Sequence, residues 1–326
     1  MGSTSRDIFG GGDDAEAALP GSYGEPPEGA RLPAATRLGP VRLQIADLER
    51  SIAFYKDVLG LDVLDQGTRR AVLGAHGRPI VEVHEDPASR SAGRRTRLGL
   101  YHFAILVTDR AALGSFARHL ADIDVRAGAA DHLVSEAFYL SDPDGLGIEV
   151  YADRPRSAWR RAGRELMMAT DPVDIEGLVA AAHGQPWAGM PAGTVIGHVH
   201  LHVGDLDRAA AFYSEALGFD RTVWSYPGAL FMSAGGYHHH LGTNTWAGQS
   251  AEPAERDEAR LLEWTLELPD ADDVLAAAGR LRDADHPTGP TSEDELVTAD
   301  PWGTRLRLYV GGSHADHVSR PMSASR

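Results

Sequence analysis

From Val41 to Ile45 apolar and polar side chains alternate, and the same alternation returns from Val199 to Val203. A period of two sends successive side chains to opposite faces, which predicts two strands with one buried face each. Both runs end in Asp-Leu and pass into apolar residues at helical spacing, in DLERSIAFYKDVLG (47–60) and DLDRAAAFYSEALG (205–218). Asp47 and Asp205 stand where a carboxylate can accept the unpaired N–H groups of a first helical turn. Phe54-Tyr55 and Phe212-Tyr213 fall on the buried helix face, and Gly60 and Gly218 close the helices.

Two weaker copies follow, YHFAILVTDRAALGSFARHLADIDV (101–125) and LEWTLELPDADDVLAAAGRLRDADH (262–286), capped by Asp109 and by Asp270 or Asp272. The offset is seven in all four, from Pro40 to Asp47, His102 to Asp109, His198 to Asp205 and Glu263 to Asp270. Short strands come after each helix, and DPDG (142–145) and DPWG (300–303) carry the Pro and Gly of tight turns. The pattern is α+β: four βαβββ modules in two tandem domains, residues 37–152 (modules 1 and 2) and 193–311 (modules 3 and 4). Residues 153–192 read as a linker with a short helix near Asp174–Ala182. Residues 1–36, rich in Gly, Pro, Ser and acids, read as disordered, and 312–326 as a flexible tail.

The length, 326 residues, suits two domains, and a net charge of −16 argues against a phosphate-binding groove and so against nucleic acid as partner. With no cysteine, any metal must be held by His, Asp, Glu or water. No apolar run reaches membrane-spanning length and the N-terminus has no apolar signal core, so a cytoplasmic location without membrane contact is expected. Homo-oligomerisation is left open.

Histidine is where the chemistry concentrates. His198, His200 and His202 alternate and share one strand face, an unusual load for an ordinary core. The run SAGGYHHHLGTNTW (233–246) places His238, His239 and His240 in sequence. As a strand, it would turn His238 and His240 one way and His239 the other, so the three cannot form a single clamp.

The combination of GHVHLHVxDLxRAxxFY, LSDPDGxGIEVYADRP and SAGGYHHHxGxNTW resembles the vicinal oxygen chelate superfamily (glyoxalase, bleomycin resistance proteins, extradiol dioxygenases), and within it the two-domain bacterial catechol-2,3-dioxygenase group. The resemblance implies paired modules whose sheets curl into cups, with a metal held from the first and last strands of each paired module. The corresponding first-strand positions are Pro40, His102, His198 and Glu263; the last-strand positions are Glu82, Glu149, His240 and Arg307, at intervals of 42, 47, 42 and 44.

Modules 1 and 4 suit a metal poorly, because Pro40 has no donor and Arg307 brings a fixed positive charge. Modules 2 and 3 offer His102, Glu149, His198 and His240. Two imidazoles and a carboxylate with open positions are the ligand set of non-haem Fe(II) oxygenases. The functional cup is therefore expected between the middle modules, with the outer two pairing together. The resemblance then implies a non-haem Fe(II) extradiol dioxygenase acting on a catechol- or hydroquinone-type ring with O2. His240 is the first candidate for acid/base or fourth ligand, His238 the second, and Tyr237 a candidate hydrogen-bonding group; Asn244 and Trp246 are candidates for shaping the mouth. Two alternatives remain. One is a glyoxalase-like lyase or isomerase with four ligands and Mn, Zn or Ni; the other is a non-catalytic protein that binds an aromatic or drug-like molecule. Four protein ligands would favour the lyase, three the oxygen chemistry.

Overall fold

The computed structural model describes residues 3–9, 15–93, 96–248, 250–292 and 294–311; the tail expected at 312–326 lies outside them. Two nine-stranded sheets carry the four modules. At the centre of one, the first strands of modules 2 and 3, Arg97–Leu106 and Val195–His202, run antiparallel. Each is flanked on its other side by the parallel last strand of its own module, Gly147–Asp153 and Leu241–Asn244. The other sheet repeats this plan with modules 1 and 4, placing Val41–Ile45 beside Arg260–Leu268. Modules thus pair 2 with 3 and 1 with 4, as the ligand positions required.

Each cap aspartate accepts the N–H three residues on: Asp47 from Arg50, Asp109 from Ala112, Asp205 from Arg208 and Asp270 from Asp273. Such a cap is worth about 1 kcal/mol, and the fourth module uses Asp270. The Phe-Tyr pairs do more than fill the core. Tyr55 Oη donates to Asp142 in the DPDG turn, and Tyr213 Oη to Asp300 in DPWG, so each tyrosine ties its helix to the next module's turn. Asp142 in turn accepts from the N–H groups of Asp144 and Leu146, which fixes the entry into the Glu149 strand.

Residues 1–2 and 10–14 lie outside the described residues, but elsewhere the segments expected to be disordered or a plain linker are tied to the rest of the fold. Glu16–Ala17 pairs with Arg160–Ala162, which pairs with Glu165–Leu166, in a small third sheet. The expected helix forms at Ile175–Ala181, capped by Asp174. Tyr23, Trp159, Leu166 and Met168 make a second apolar core with Val223, Tyr226 and Phe231 of module 3. Leu32 is buried and its N–H donates to Gly218 O. Composition misled here because the few apolar residues of 15–36 follow no period and are held by distant partners rather than by their neighbours. Among the described residues, no helix is long and apolar enough to cross a membrane.

Candidate functional site

Strand register brings three distant residues together. Ala104 pairs with Glu149 on one side and with His198 on the other, and His102 lies two residues before Ala104. Cross-strand partners and i, i+2 neighbours share a face, so His102, Glu149 and His198 converge over the small Ala104 side chain. One donor atom from each lies within 4.8 Å of the others. His102 Nε2 and His198 Nε2 are each 3.0 Å from Glu149 Oε2.

All three residues are buried, and Glu149 Oε1 has no hydrogen-bond partner among the described residues. An unsatisfied buried carboxylate is costly, and a cation between the three is the ordinary solution. Burial opposes ionisation of Glu149, but His198 and His102 outweigh it and hold its carboxyl well below the usual range. Burial pulls both imidazoles below their ordinary value, with Glu149 opposing, so they favour the neutral form that ligates. The donor set fits a divalent metal.

The fourth position differs from expectation. Val199 pairs with Leu241 and His200 with Gly242, just as Phe103 pairs with Ile148 and Ala104 with Glu149. The counterpart of Glu149 in module 3 is therefore Gly242, not His240. The His200 ring fills the space there: a Cβ on Gly242 would stand 2.9 Å from His200 Cγ.

His240 does not line the cavity. Its Nδ1 accepts from Ala234 N–H at 3.1 Å and its ring lies 5.1 Å from Tyr237 and 6.3 Å from Phe219. His238 and Tyr237 also lie outside the cavity lining and meet at Asp153, His238 Nε2 at 2.9 Å and Tyr237 Oη at 3.1 Å. The reason is that the strand starts only at Leu241. Gly235 and Gly236 take positive φ (62° and 66°), and the irregular segment after them has no two-residue alternation. The histidine of the run that reaches the cavity is His239, whose ring lies 4.0 Å from that of His198.

The cavity has a volume of about 640 Å³. Among the lining residues that escaped the sequence analysis, two stand beside the Glu149 strand. Tyr139 pairs directly with Glu149 and so shares its face. His132 Nε2 lies 2.5 Å from Tyr139 Oη, and its Nδ1 2.6 Å from Ala169 O. Donation from Nδ1 to that carbonyl leaves Nε2 to accept from the tyrosine. Placing the 135–141 strand antiparallel to Glu149's would have exposed Tyr139; His132 sits in a loop and carried no signal. Asn244 bridges His202 Nδ1 (2.7 Å) and His200 Nε2 (2.9 Å) beside Trp246 at the rim.

Residues 37–150 and 195–308 both match the family model described as the glyoxalase/bleomycin resistance protein/dioxygenase superfamily. The chain belongs to this superfamily. Within it, the chain is 45% identical over 271 residues to a catechol-2,3-dioxygenase of Bacillus subtilis (strain 168), covering 82% of this chain and 94% of the relative. A 2,2',3-trihydroxybiphenyl dioxygenase of Sphingomonas paucimobilis is 26% identical over 198 residues, 59% of each chain. Among solved structures, a candidate dioxygenase from Bacillus subtilis subsp. subtilis str. 168 superposes with a TM-score of 0.63 at 14% identity, covering 89% of both chains, which supports the fold.

The superfamily's second cup, between modules 1 and 4, is closed by arginine. Arg42 holds the position of Ala104, paired with Glu82 on one side and Glu263 on the other. Its guanidinium reaches both carboxylates at 3.0 Å. Arg70 and His84 also hold Glu82, and Arg307 holds Glu263. Burial would raise the Glu82 pKa, but His84, Arg42 and Arg70 bring it down to about 2.

His240→Ala is expected to keep its metal and turn over within a few-fold of wild type, while losing about 1–3 kcal/mol as the Ala234 N–H goes unpaired. Burial holds His240 down to about 3 from 6.5, so its folded pKa is depressed. The wild type therefore loses stability as pH falls from 6.5 toward 3, and the variant loses less over that window. Thermal unfolding across pH, with metal analysis, checks both.

Proposed function

We propose that His102, Glu149 and His198 hold Fe(II) and that the protein is an extradiol dioxygenase cleaving a catechol- or hydroquinone-type ring with O2. The supporting observation is the three-donor set with Gly242 at the fourth position. It leaves coordination open for two substrate hydroxyls and O2, whereas the four-ligand lyase reading lacks its last ligand. Kinship to a catechol-2,3-dioxygenase over most of both chains points the same way. When bound, the metal acidifies a substrate hydroxyl and holds both reactants in contact. A cytoplasmic setting is consistent with this reading.

The chain's own groups manage the protons. Asp153 Oδ1 accepts from His238 Nε2–H, which leaves His238 Nδ1 to accept from His239 Nδ1–H at 2.7 Å. His239 then presents an unprotonated Nε2 to the cavity beside His198. Burial and the neighbouring imidazoles keep its pKa well below the ordinary value, so it is neutral, with an unprotonated nitrogen free to serve as base. His239 takes the second substrate hydroxyl proton and returns it to a substrate or dioxygen-derived oxygen as the ring opens, both oxygen atoms remaining in the product. Tyr139 Oη, locked to His132, orients the ring from the Glu149 side. His238 and Asp153 are thus positioning groups, a narrower part for His238 than direct catalysis.

Anaerobic Fe(II) loading followed by O2 with a catechol panel should produce a yellow ring-fission product. His239→Ala should keep its iron but slow cleavage by about 10²–10⁴-fold. Asp153→Asn, which disturbs the tautomer of His238 and the Tyr237 contact without touching the three donors, should cost about 10–100-fold. No oxygen-dependent absorbance change with any catechol would overturn the assignment.

A further inference from the structure

We infer that the cavity is built for a ring bearing a bulky, uncharged substituent, and that it selects against carboxylated catechols. The inference rests on the dioxygenase reading and adds the substrate class. At about 640 Å³ the cavity lies well inside the about 300–1,000 Å³ range of pockets that enclose drug-sized molecules, and exceeds the needs of one small ring.

Beyond the metal-binding face the space is an aromatic trough. Tyr101 and Trp246 rings lie 5.6 Å apart, Tyr226 and Trp246 6.2 Å, and Tyr226 and Phe231 5.7 Å. Met168 and Thr170 also line it. Thr170 Oγ1 and Tyr226 Oη are 2.9 Å apart, and Ser3 braces both, its N–H donating to Tyr226 Oη and its carbonyl accepting from Thr170 N–H. The N-terminal segment therefore braces this part of the lining from outside, through the backbone of Ser3.

Charge makes the distinction. Among the described lining residues there is no lysine or arginine, and the one carboxylate, Glu149, belongs to the metal set. His132 is committed at both nitrogens and His239 at Nδ1. A substituent carboxylate would lose its water without gaining a cation, inside a chain of net charge −16. A second ring or alkyl chain would instead gain aromatic contact.

The test uses the Fe(II)-loaded full chain with four probes: catechol, 3-phenylcatechol, 4-butylcatechol and the similarly sized anion 3-(3,4-dihydroxyphenyl)propanoate. The neutral butyl compound should exceed the propanoate by about 100-fold in kcat/KM, and 3-phenylcatechol should exceed catechol by about 10-fold. Ala129 is an exposed lining residue at the mouth, so Ala129→Arg adds a cation without disturbing the core and should improve the propanoate by about 10-fold. Equal use of neutral and anionic probes, or no gain from Ala129→Arg, would overturn the inference while leaving ring cleavage intact. Failure to cleave any probe would instead strike the dioxygenase reading. In that case anaerobic binding, followed by Trp fluorescence, still ranks the same probes, and a propanoate bound as tightly as the butyl compound overturns the inference.

Discussion

Glu149→Ala should reduce iron retention to background and lower ring cleavage by at least about 10³-fold. Glu149 is the only anionic donor among the three, and its Oε2 is the atom both imidazoles approach. Without it two neutral nitrogens remain, and Gly242 supplies no replacement. The lost activity should not come from misfolding. In the apo protein Glu149 is a buried carboxylate with one oxygen unpartnered, so removing it relieves a desolvation cost while opening a modest space. Iron content by metal analysis, turnover with a catechol and far-UV circular dichroism separate these effects. An iron-replete, active Glu149→Ala enzyme would remove the site from this cup.

Arg42→Ala should produce the largest stability loss, about 3–5 kcal/mol, or roughly 10 °C in thermal unfolding. It strips the guanidinium from between two buried carboxylates, of which Glu263 is fully buried and Glu82 nearly so. Arg70, His84 and Arg307 soften the loss without filling the space. The pH signature has a definite sign. The Glu82 pKa is depressed from 4.5 to about 2, so its contribution is complete above pH 4.5 and disappears as pH falls through about 2. The gap between wild type and variant should therefore be widest near neutrality and shrink in acid. Iron retention at low temperature should match wild type, since Arg42 lies in the other sheet. An unchanged unfolding temperature would show that the outer cup does not depend on this arginine.

Much of the molecule was legible in the chain. The offset of seven between first-strand position and cap aspartate marked four modules, and a local carboxylate does cap each helix. The pairing of middle with middle and outer with outer modules followed from donor chemistry: Pro40 and Arg307 are poor ligands, His102, Glu149 and His198 good ones. These are properties of residue type and short-range order, which sequence records directly.

Other features depended on register and packing. Counting residues along module 3 pointed to His240, whereas strand pairing makes Gly242 the counterpart of Glu149 and leaves His240 bonded to Ala234 N–H. Two residues in an irregular loop were enough, because residue counting fails wherever the chain leaves the ladder, and His240 precedes the strand that starts at Leu241. His239, Tyr139 and His132 entered the site for the same reason, through cross-strand neighbours and loop closure. The N-terminal segment looked mobile by composition but is held by module 3 and the linker, through contacts over two hundred residues apart at Ser3 and Tyr226. Sequence alone determined the modules and their caps and singled out His102, Glu149 and His198 as candidate donors, because local periodicity and side-chain chemistry need no partner to be read. The tertiary structure alone decided which residue stands at the fourth position, which histidine of the run reaches the cavity and what walls the cavity has, because each depends on which residue a neighbouring strand or a distant segment sets against it.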